Sequence, residues 1–314
     1  MTATIGIDIG GTKIAAALVG PDGTAGRVRR VATPATEGPD AVLRAAITLA
    51  RATAREAADA GAAPLACGVG TAGTVGEDGR ISHATTSLPG WTGTDVRGAL
   101  AAALGLPVVV RNDVQAMAVA ESRLGAAAGA RTALVVAAGT GIGGAVVADG
   151  MLLSGRTGFA GSVGHLPSPV TAGRPCGCGA LDHVESYAAG PAIAAAYAAR
   201  AGLAVVPPLE TVAEAARGGA PEAEAAIAEA AHVLGAGLAT AANLLDPDVV
   251  VLGGGVLGLG DGFVQAVAAT LRRAALPGPA EVPLRITTFG PAAVLTGAAL
   301  LAHELGRSAV RFIP

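Results

Sequence analysis

Two glycine-threonine turns in matching surroundings constrain this chain more than any other feature. The first lies in Ile5-Gly-Ile-Asp-Ile-Gly-Gly-Thr-Lys-Ile14, which continues to an Asp22-Gly23 turn. The second lies in Leu134-Val-Val-Ala-Ala-Gly-Thr-Gly-Ile-Gly-Gly144, which continues to Asp149-Gly150. Each reads as apolar strand, glycine-rich turn, apolar strand, Asp-Gly turn. Thr12 and Thr140 are offset by nearly the same number of residues as Asp22 and Asp149. Glycine lets backbone N–H groups approach a phosphate with no Cβ in the way, and a threonine hydroxyl adds a donor. In a chain with 47 glycines, one such hairpin could be only a tight turn. Two at matching offsets point to related lobes that close on the phosphates of a nucleotide.

Length and composition narrow the function classes. A chain of 314 residues is long enough for about two domains. Its 52% hydrophobic and 14% charged content allows a substantial core. No apolar run reaches the ~18 residues of a membrane span without Gly, Pro or charge, so no membrane partner is expected. The start, Met-Thr-Ala-Thr-Ile, reads as a strand rather than a signal peptide. Net charge is −3 with no basic patch, which argues against nucleic acid. The odd cysteine count, with Cys176 and Cys178 one residue apart and Cys67 distant, argues against a disulfide framework. It fits a reducing cytoplasm and a metal site.

Strand-like runs at residues 4–9, 14–19, 28–33, 65–70, 108–111, 132–138, 145–148, 249–252 and 284–289 alternate with helical runs. The helical runs are 38–60, 95–104, 113–124, 190–201, 210–217, 221–245, 262–275 and 293–305. Such alternation predicts an α/β fold. Residues 155–185, rich in Gly and Pro, follow neither period, and a loop this long is functional or stapled.

Asp8-Ile-Gly-Gly-Thr-Lys13 resembles the phosphate-1 segment of the sugar-kinase, actin and heat-shock superfamily. Further segments narrow the resemblance to the ROK family of bacterial sugar kinases and regulators. They are Leu88-Pro-Gly-Trp91, Val108-Val-Val-Arg-Asn-Asp113, Ala160-Gly-Ser-Val-Gly-His165, Cys176-Gly-Cys-Gly179, Asn243-Leu-Leu-Asp-Pro-Asp248 with Val251-Leu-Gly-Gly-Gly255, and Leu295-Thr-Gly-Ala-Ala299. They fall in order over nearly the whole chain. The resemblance implies a two-lobed actin-like ATPase (ribonuclease-H-like) fold with the active site in the interlobe cleft. The expected lobes are 1–111, with helix 293–314 packing back on it, and 112–292, carrying a zinc loop at 155–185. Regulators in this family carry an N-terminal helix-turn-helix domain. The kinase motif here opens at residue 5, so a kinase without that domain is expected.

Asp113 closes an apolar strand and opens a helix, a position that in α/β sheets faces the ligand crevice. It could simply cap that helix. The resemblance makes it the general base that takes the proton from a sugar's primary hydroxyl, with Asn112 holding sugar hydroxyls. It likewise places Asp8 near a Mg²⁺ on the phosphates of ATP, with Gly10, Gly11, Thr12, Lys13, Gly139, Thr140 and Gly141 lining the phosphate channel. Gly253, Gly254 and Gly255 would lie beside the nucleoside. The remaining sugar-side positions are Gly73, Ser87, Ser162, His165 and Glu185. A cytoplasmic homodimer is implied as well.

Three departures bear on chemistry. The family's metal pattern is a histidine, then Cys-x-Cys-Gly-x-x-Gly-Cys-x-Glu; here the third cysteine is His183 and the second glycine is Asp182. His165, Cys176, Cys178 and His183 still form an acceptable closed tetrahedral zinc set, structural in role. The metal could instead have been lost, leaving polar loop residues. Ser162 replaces a glutamate that grips ring hydroxyls near the anomeric end, and Ser87 replaces an asparagine before Leu88-Pro-Gly-Trp91. The reading is therefore an ATP-dependent kinase for the primary hydroxyl of a hexose-like ring. A kinase for C7 cyclitols and a non-catalytic sugar sensor are the alternatives. Retention of Asp8, Thr12, Asp113 and Thr140 speaks against the sensor.

Overall fold

A computed structural model describes residues 3–59, 61–84 and 87–310, with side chains through 305. Helices alternate with strands along most of the chain. In order these are β1 (Ala3–Ile9), β2 (Lys13–Val19), β3 (Arg29–Ala32), α1 (Pro39–Asp59), β4 (Pro64–Thr71), β5 (Thr74–Val75), β6 (Ile81–His83), α2 (Val96–Leu104), β7 (Val108–Asn112) and α3 (Asp113–Leu124). There follow β8 (Thr132–Ala138), β9 (Ile142–Ala148), β10 (Met151–Leu153), α4 (Glu185–Ala188), α5 (Gly190–Arg200), α6 (Leu209–Arg217), α7 (Pro221–Leu245), β11 (Val249–Gly253), α8 (Asp261–Ala274), β12 (Leu284–Ile286) and α9 (Ala293–Val310).

Two five-stranded sheets share one topology. The first runs β3-β2-β1-β4-β7 and the second β10-β9-β8-β11-β12. Each opens with an antiparallel hairpin, β1–β2 or β8–β9, in register around its glycine-rich turn. Each then adds parallel strands, β4 and β7 in one sheet and β11 and β12 in the other. The matching hairpins of the sequence are thus corresponding parts of two similar sheets. By contacts the chain divides into two compact units, 1–129 with 151–160 and 287–314, and 130–150 with 161–286.

The first unit is built on an isoleucine-rich centre. Ile5, Ile7, Ile9 and Ile14 are fully buried with Trp91 and Leu100, beneath the apolar face of α1. On the same sheet α9 packs so closely that glycine is required. A Cβ at Gly68 would lie 1.8 Å from the Ala298 carbonyl oxygen, and one at Gly297 would lie 1.7 Å from that of Ala116 on α3. The expected lobe ended at residue 111; this packing between α3 and α9 carries the contact unit on to 129. Residues 311–314 of the expected terminal helix and Ala60 of the first lie outside the described residues.

In the second unit β8 and β11 are buried on both faces, and Leu134, Val136, Val250 and Leu252 meet Leu234, Leu238, Ile193 and Phe263 from the helices. Among the described residues α7 is the one helix long and apolar enough to cross a membrane. Its Val233, Leu234 and Leu238 are core instead.

Several short elements escape the sequence reading: the β5–β6 hairpin, β10 and the single turn α4. They are too short for a period of two or 3.6 to show. The strand expected over 284–289 stops at Ile286, because Thr287, Thr288 and Phe289 turn to bond the buried Glu121.

Candidate active site

The first unit holds an acidic pair at the end of its sheet. Asp8 lies near the end of β1 and Asp113 begins α3. Asn112, not Asp113, is the helix cap: its Oδ1 accepts from the Val114 and Gln115 N–H groups at 3.0 and 3.3 Å. Its Nδ2 donates to the Gly73 carbonyl at 3.0 Å. The Asn112 amide expected to hold a sugar is therefore already engaged at both ends. Capping by Asn112 leaves the carboxylate of Asp113 to accept from Val114 N–H at 2.8 Å.

Electrostatics mark the pair. Burial pushes the Asp113 carboxyl above its ordinary value, and the Val114 N–H and Asn112 only partly offset this. Asp8 is raised to about 7, first by burial, then by the charge of Asp113, against the pull of Lys13. Although part of Asp8 reaches the surface, protein atoms ring it. Two carboxyls that resist being charged together form a natural seat for a cation.

Beside them lies the first turn. Gly10 N–H bonds the Lys13 carbonyl at 3.1 Å, and Thr33 bonds both Gly10 and Thr12. Thr12 and Lys13 are exposed. Gly11 faces Ser87: a Cβ there would sit 2.7 Å from the Ser87 Cβ. The loop that carries Ser87 is fixed by buried Trp91, whose Nε1 donates to Thr71 Oγ1 at 3.2 Å. Gly73 has φ 93°, and a Cβ there would lie 2.6 Å from the His83 carbonyl.

The second unit gathers a glycine-rich cluster of its own. Gly139 N–H bonds the Gly141 carbonyl, and Gly190 N–H at the start of α5 bonds the Gly139 carbonyl, each at 2.8 Å. Gly254, φ 96°, passes so close to β8 that a Cβ would sit 2.2 Å from the Ala138 carbonyl. The turn 139–141, Gly253–Gly255 and the N-terminus of α5 thus converge, with the dipole of α5 suited to phosphate. Glu185 braces the turn by accepting from Ile142 N–H at 2.8 Å. A cavity of about 820 Å³ adjoins Thr140 and Glu185 and runs beside α5 to Arg174 and Arg200.

Four side chains of the long loop meet beside Glu185. Cys176 Sγ lies 3.5 Å from His165 Nδ1, and Cys178 Sγ lies 3.3 Å from His183 Nδ1. All four donor atoms fall within 4.8 Å of one another. Tetrahedral zinc with N and S ligands needs donor separations of about 3.3–3.8 Å, so the quartet fits with small adjustment. Cys67 takes no part; it is fully buried, its thiol pushed up to about 12. Ser162 lies at the start of the turn that carries His165, its carbonyl accepting the His165 N–H at 3.1 Å.

One functional feature was missed in the sequence. Asp182, at φ 55°, accepts from Gly173 N–H at 3.1 Å, Arg174 N–H at 2.8 Å and the Tyr187 hydroxyl. Tyr187 OH in turn accepts from Ala172 N–H at 2.9 Å, and Arg174 lies over the Tyr187 ring. The bond from Tyr187, followed by the loop amides, holds Asp182 below its ordinary value. Its signal was an aspartate where the family has glycine: both tolerate a left-handed backbone.

With this geometry in place, comparisons identify the family. The profile described as "ROK family" matches residues 4–305. A glucokinase of Streptomyces coelicolor is 34% identical over 97% of this chain and 98% of its own. An N-acetylmannosamine kinase of Salmonella paratyphi A is 36% identical over 96% and 98%. The crystal structure of a ROK family glucokinase from Streptomyces griseus, in complex with glucose and AMPPNP, superposes with a TM-score of 0.83 at 34% identity, covering 96% of this chain and 99% of that one. The two-lobed fold is that of the actin-like ATPases, and the chain belongs to the ROK family of sugar kinases.

Proposed function

We propose that this protein transfers the γ-phosphoryl group of ATP to the primary hydroxyl of a hexose or hexose-like sugar, with Asp113 as general base. The half-buried carboxyl of Asp113 at the start of α3, held by Asn112 and Val114, carries this reading. A base with a raised pKa takes the hydroxyl proton as the oxygen attacks, and contributes roughly 10²–10⁴ in rate. Phosphoryl transfer needs little else beyond positioning and charge neutralisation. Gly10–Lys13 in the first unit and Gly139–Gly141 with Gly253–Gly255 in the second are the proposed nucleotide contacts. Gly73, His165 and Glu185 serve the sugar, with Ser87 and Ser162 at its altered end, while Asn112 holds the start of the helix that bears Asp113.

Asp8 is the residue proposed to hold Mg²⁺, which when bound neutralises phosphate charge. Its carboxyl, crowded by Asp113, favours a cation. His165, Cys176, Cys178 and His183 would hold zinc, which organises the loop rather than activating water. Thiols in that role suit a reducing cytoplasm. The homodimer rests on the family resemblance, and sizing by light scattering reads it.

Relatives act on glucose and N-acetylmannosamine by name, and no observation favours a cyclitol in particular. Ser162 in place of the carboxylate leaves the C1–C2 end of the sugar as the open question. ADP release measured with glucose, mannose, N-acetylmannosamine and a C7 cyclitol tests the whole reading. Turnover with one or more confirms the kinase and ranks the substrates; no ADP release with any of them would leave the sensor.

A further inference from the structure

Glu121 has no part in the chemistry above, yet it is fully buried with charge-bearing atoms fully used. Its Oε1 accepts from the Thr287 hydroxyl and from Phe289 N–H at 3.2 Å. Its Oε2 accepts from Ala126 N–H at 2.8 Å and Thr288 N–H at 3.1 Å. None of the four donors is a cation. A carboxylate in such a setting is costly to bury, and the last turn of a helix, where Glu121 sits, adds an unfavourable dipole. Its partners are the telling point. Ala126 lies shortly before the chain first leaves the first unit after Gly129, and Thr287–Phe289 is where it re-enters for the second time after Ile286, the earlier return being 151–160. The helix that carries Glu121 begins at Asp113.

We propose that Glu121 is a positioning residue for Asp113: one carboxylate holds Ala126 and Thr287–Phe289, all within the first unit, against the helix that carries Asp113. The inference takes the kinase reaction as given. That reaction needs the Asp113 carboxyl held in one place, so what fixes the far end of its helix bears on turnover. Thr287 adds rigidity: its hydroxyl also accepts from Gly290 N–H at 3.2 Å.

Glu121→Gln keeps the shape but replaces one acceptor oxygen with a donor, so at least one main-chain N–H loses its partner. The substrate is whichever sugar of the panel the wild type turns over fastest. The expected result is a fall in kcat of at least about tenfold with KM for ATP little changed, the pattern of a mispositioned base, at temperatures well below unfolding. Amide exchange at Ala126, Thr288 and Phe289 should rise. An unchanged kcat in a variant whose three amides exchange faster would overturn the proposal, since a purely structural role predicts that outcome. Should Glu121→Gln not accumulate as folded protein, Thr287→Val, which removes one donor and leaves the carboxylate, decides alone. It should lower kcat about threefold, and an unchanged kcat in the folded variant would again overturn the idea.

Discussion

At the scale of single residues the two carboxyls of the first unit make the sharpest predictions. Asp113→Asn keeps size and the Val114 contact but cannot take a proton; kcat should fall by roughly 10²–10⁴ while calorimetric affinities for nucleotide and sugar stay within about tenfold. Near-normal turnover would remove Asp113 as base. Burial raises the carboxyl of Asp113, so the acid limb of kcat/KM should lie above the ordinary aspartate value of about 4. Asp8, raised to about 7, makes a prediction for stability. A carboxyl whose folded pKa exceeds its unfolded one stabilises fully below about pH 4, and that contribution is lost as pH rises toward 7. Without Mg²⁺ and nucleotide, the melting temperature should therefore fall across that window, and Asp8→Asn should flatten the fall. An equal slope in the variant would assign it to other groups. Ser162→Glu belongs here too. Restoring a carboxylate should raise kcat/KM for glucose relative to the native substrate by roughly tenfold, unless wild type already prefers glucose near 10⁴ M⁻¹s⁻¹ or above.

At the scale of elements, the sequence revealed what repeats or alternates and hid what depends on tertiary contact. The hairpins β1–β2 and β8–β9 were legible because glycine, threonine and apolar runs occur in them at the same offsets. The helix start at Asn112-Asp113 was legible, but which residue caps it was not, since both side chains can cap and only geometry chooses Asn112. The four candidate ligands of the long loop could be picked out and the structure brings them together, yet the loop's internal support was not legible. Asp182, Tyr187 and the amides of 172–174 meet through a fold that no local pattern announces. This clasp leads to a prediction for the loop. Purified without added metal, the protein should carry one zinc per chain, and chelation should raise exchange in 155–185 first. Asp182→Gly restores the family residue but removes the acceptor of two amides and a hydroxyl. It should leave the zinc content near one per chain while making the chelated loop more open to protease than chelated wild type. Equal cleavage of the two chelated proteins would show that Asp182 does not support the loop.

At the scale of the whole molecule, one topology written twice explains why so much could be read in advance; the return of α9 to the first unit was expected from the family resemblance, but the closeness of its seat was not. No local pattern in Leu295-Thr-Gly-Ala-Ala299 says how closely that helix seats on the unit begun at residue 3. Contact does. Thr4 Oγ1 donates to the Ala299 carbonyl at 2.9 Å, and a Cβ at Gly6 would lie 2.3 Å from the Leu295 carbonyl. Gly297 lets two opposing effects be compared. By helix propensity alone, Gly297→Ala should stabilise by up to about 1 kcal/mol. The added methyl, however, would stand 1.7 Å from the Ala116 carbonyl oxygen, with the Ala120 amide nitrogen 3.1 Å away. Both belong to the backbone of α3, which cannot swing aside as a long side chain can. Overpacking of this kind costs about 1–3 kcal/mol, and at a backbone contact this close the upper end applies. Sterics outweigh propensity, and the net expectation is a loss of about 1–2 kcal/mol. The loss should be felt in the unit that α9 completes, so native-state exchange should quicken in β1, β4 and α3 while β8, β11 and α7 keep their protection. A higher melting temperature for Gly297→Ala, or exchange that quickens equally in both units, would show that the close seat of α9 on α3 is not what holds the first unit together.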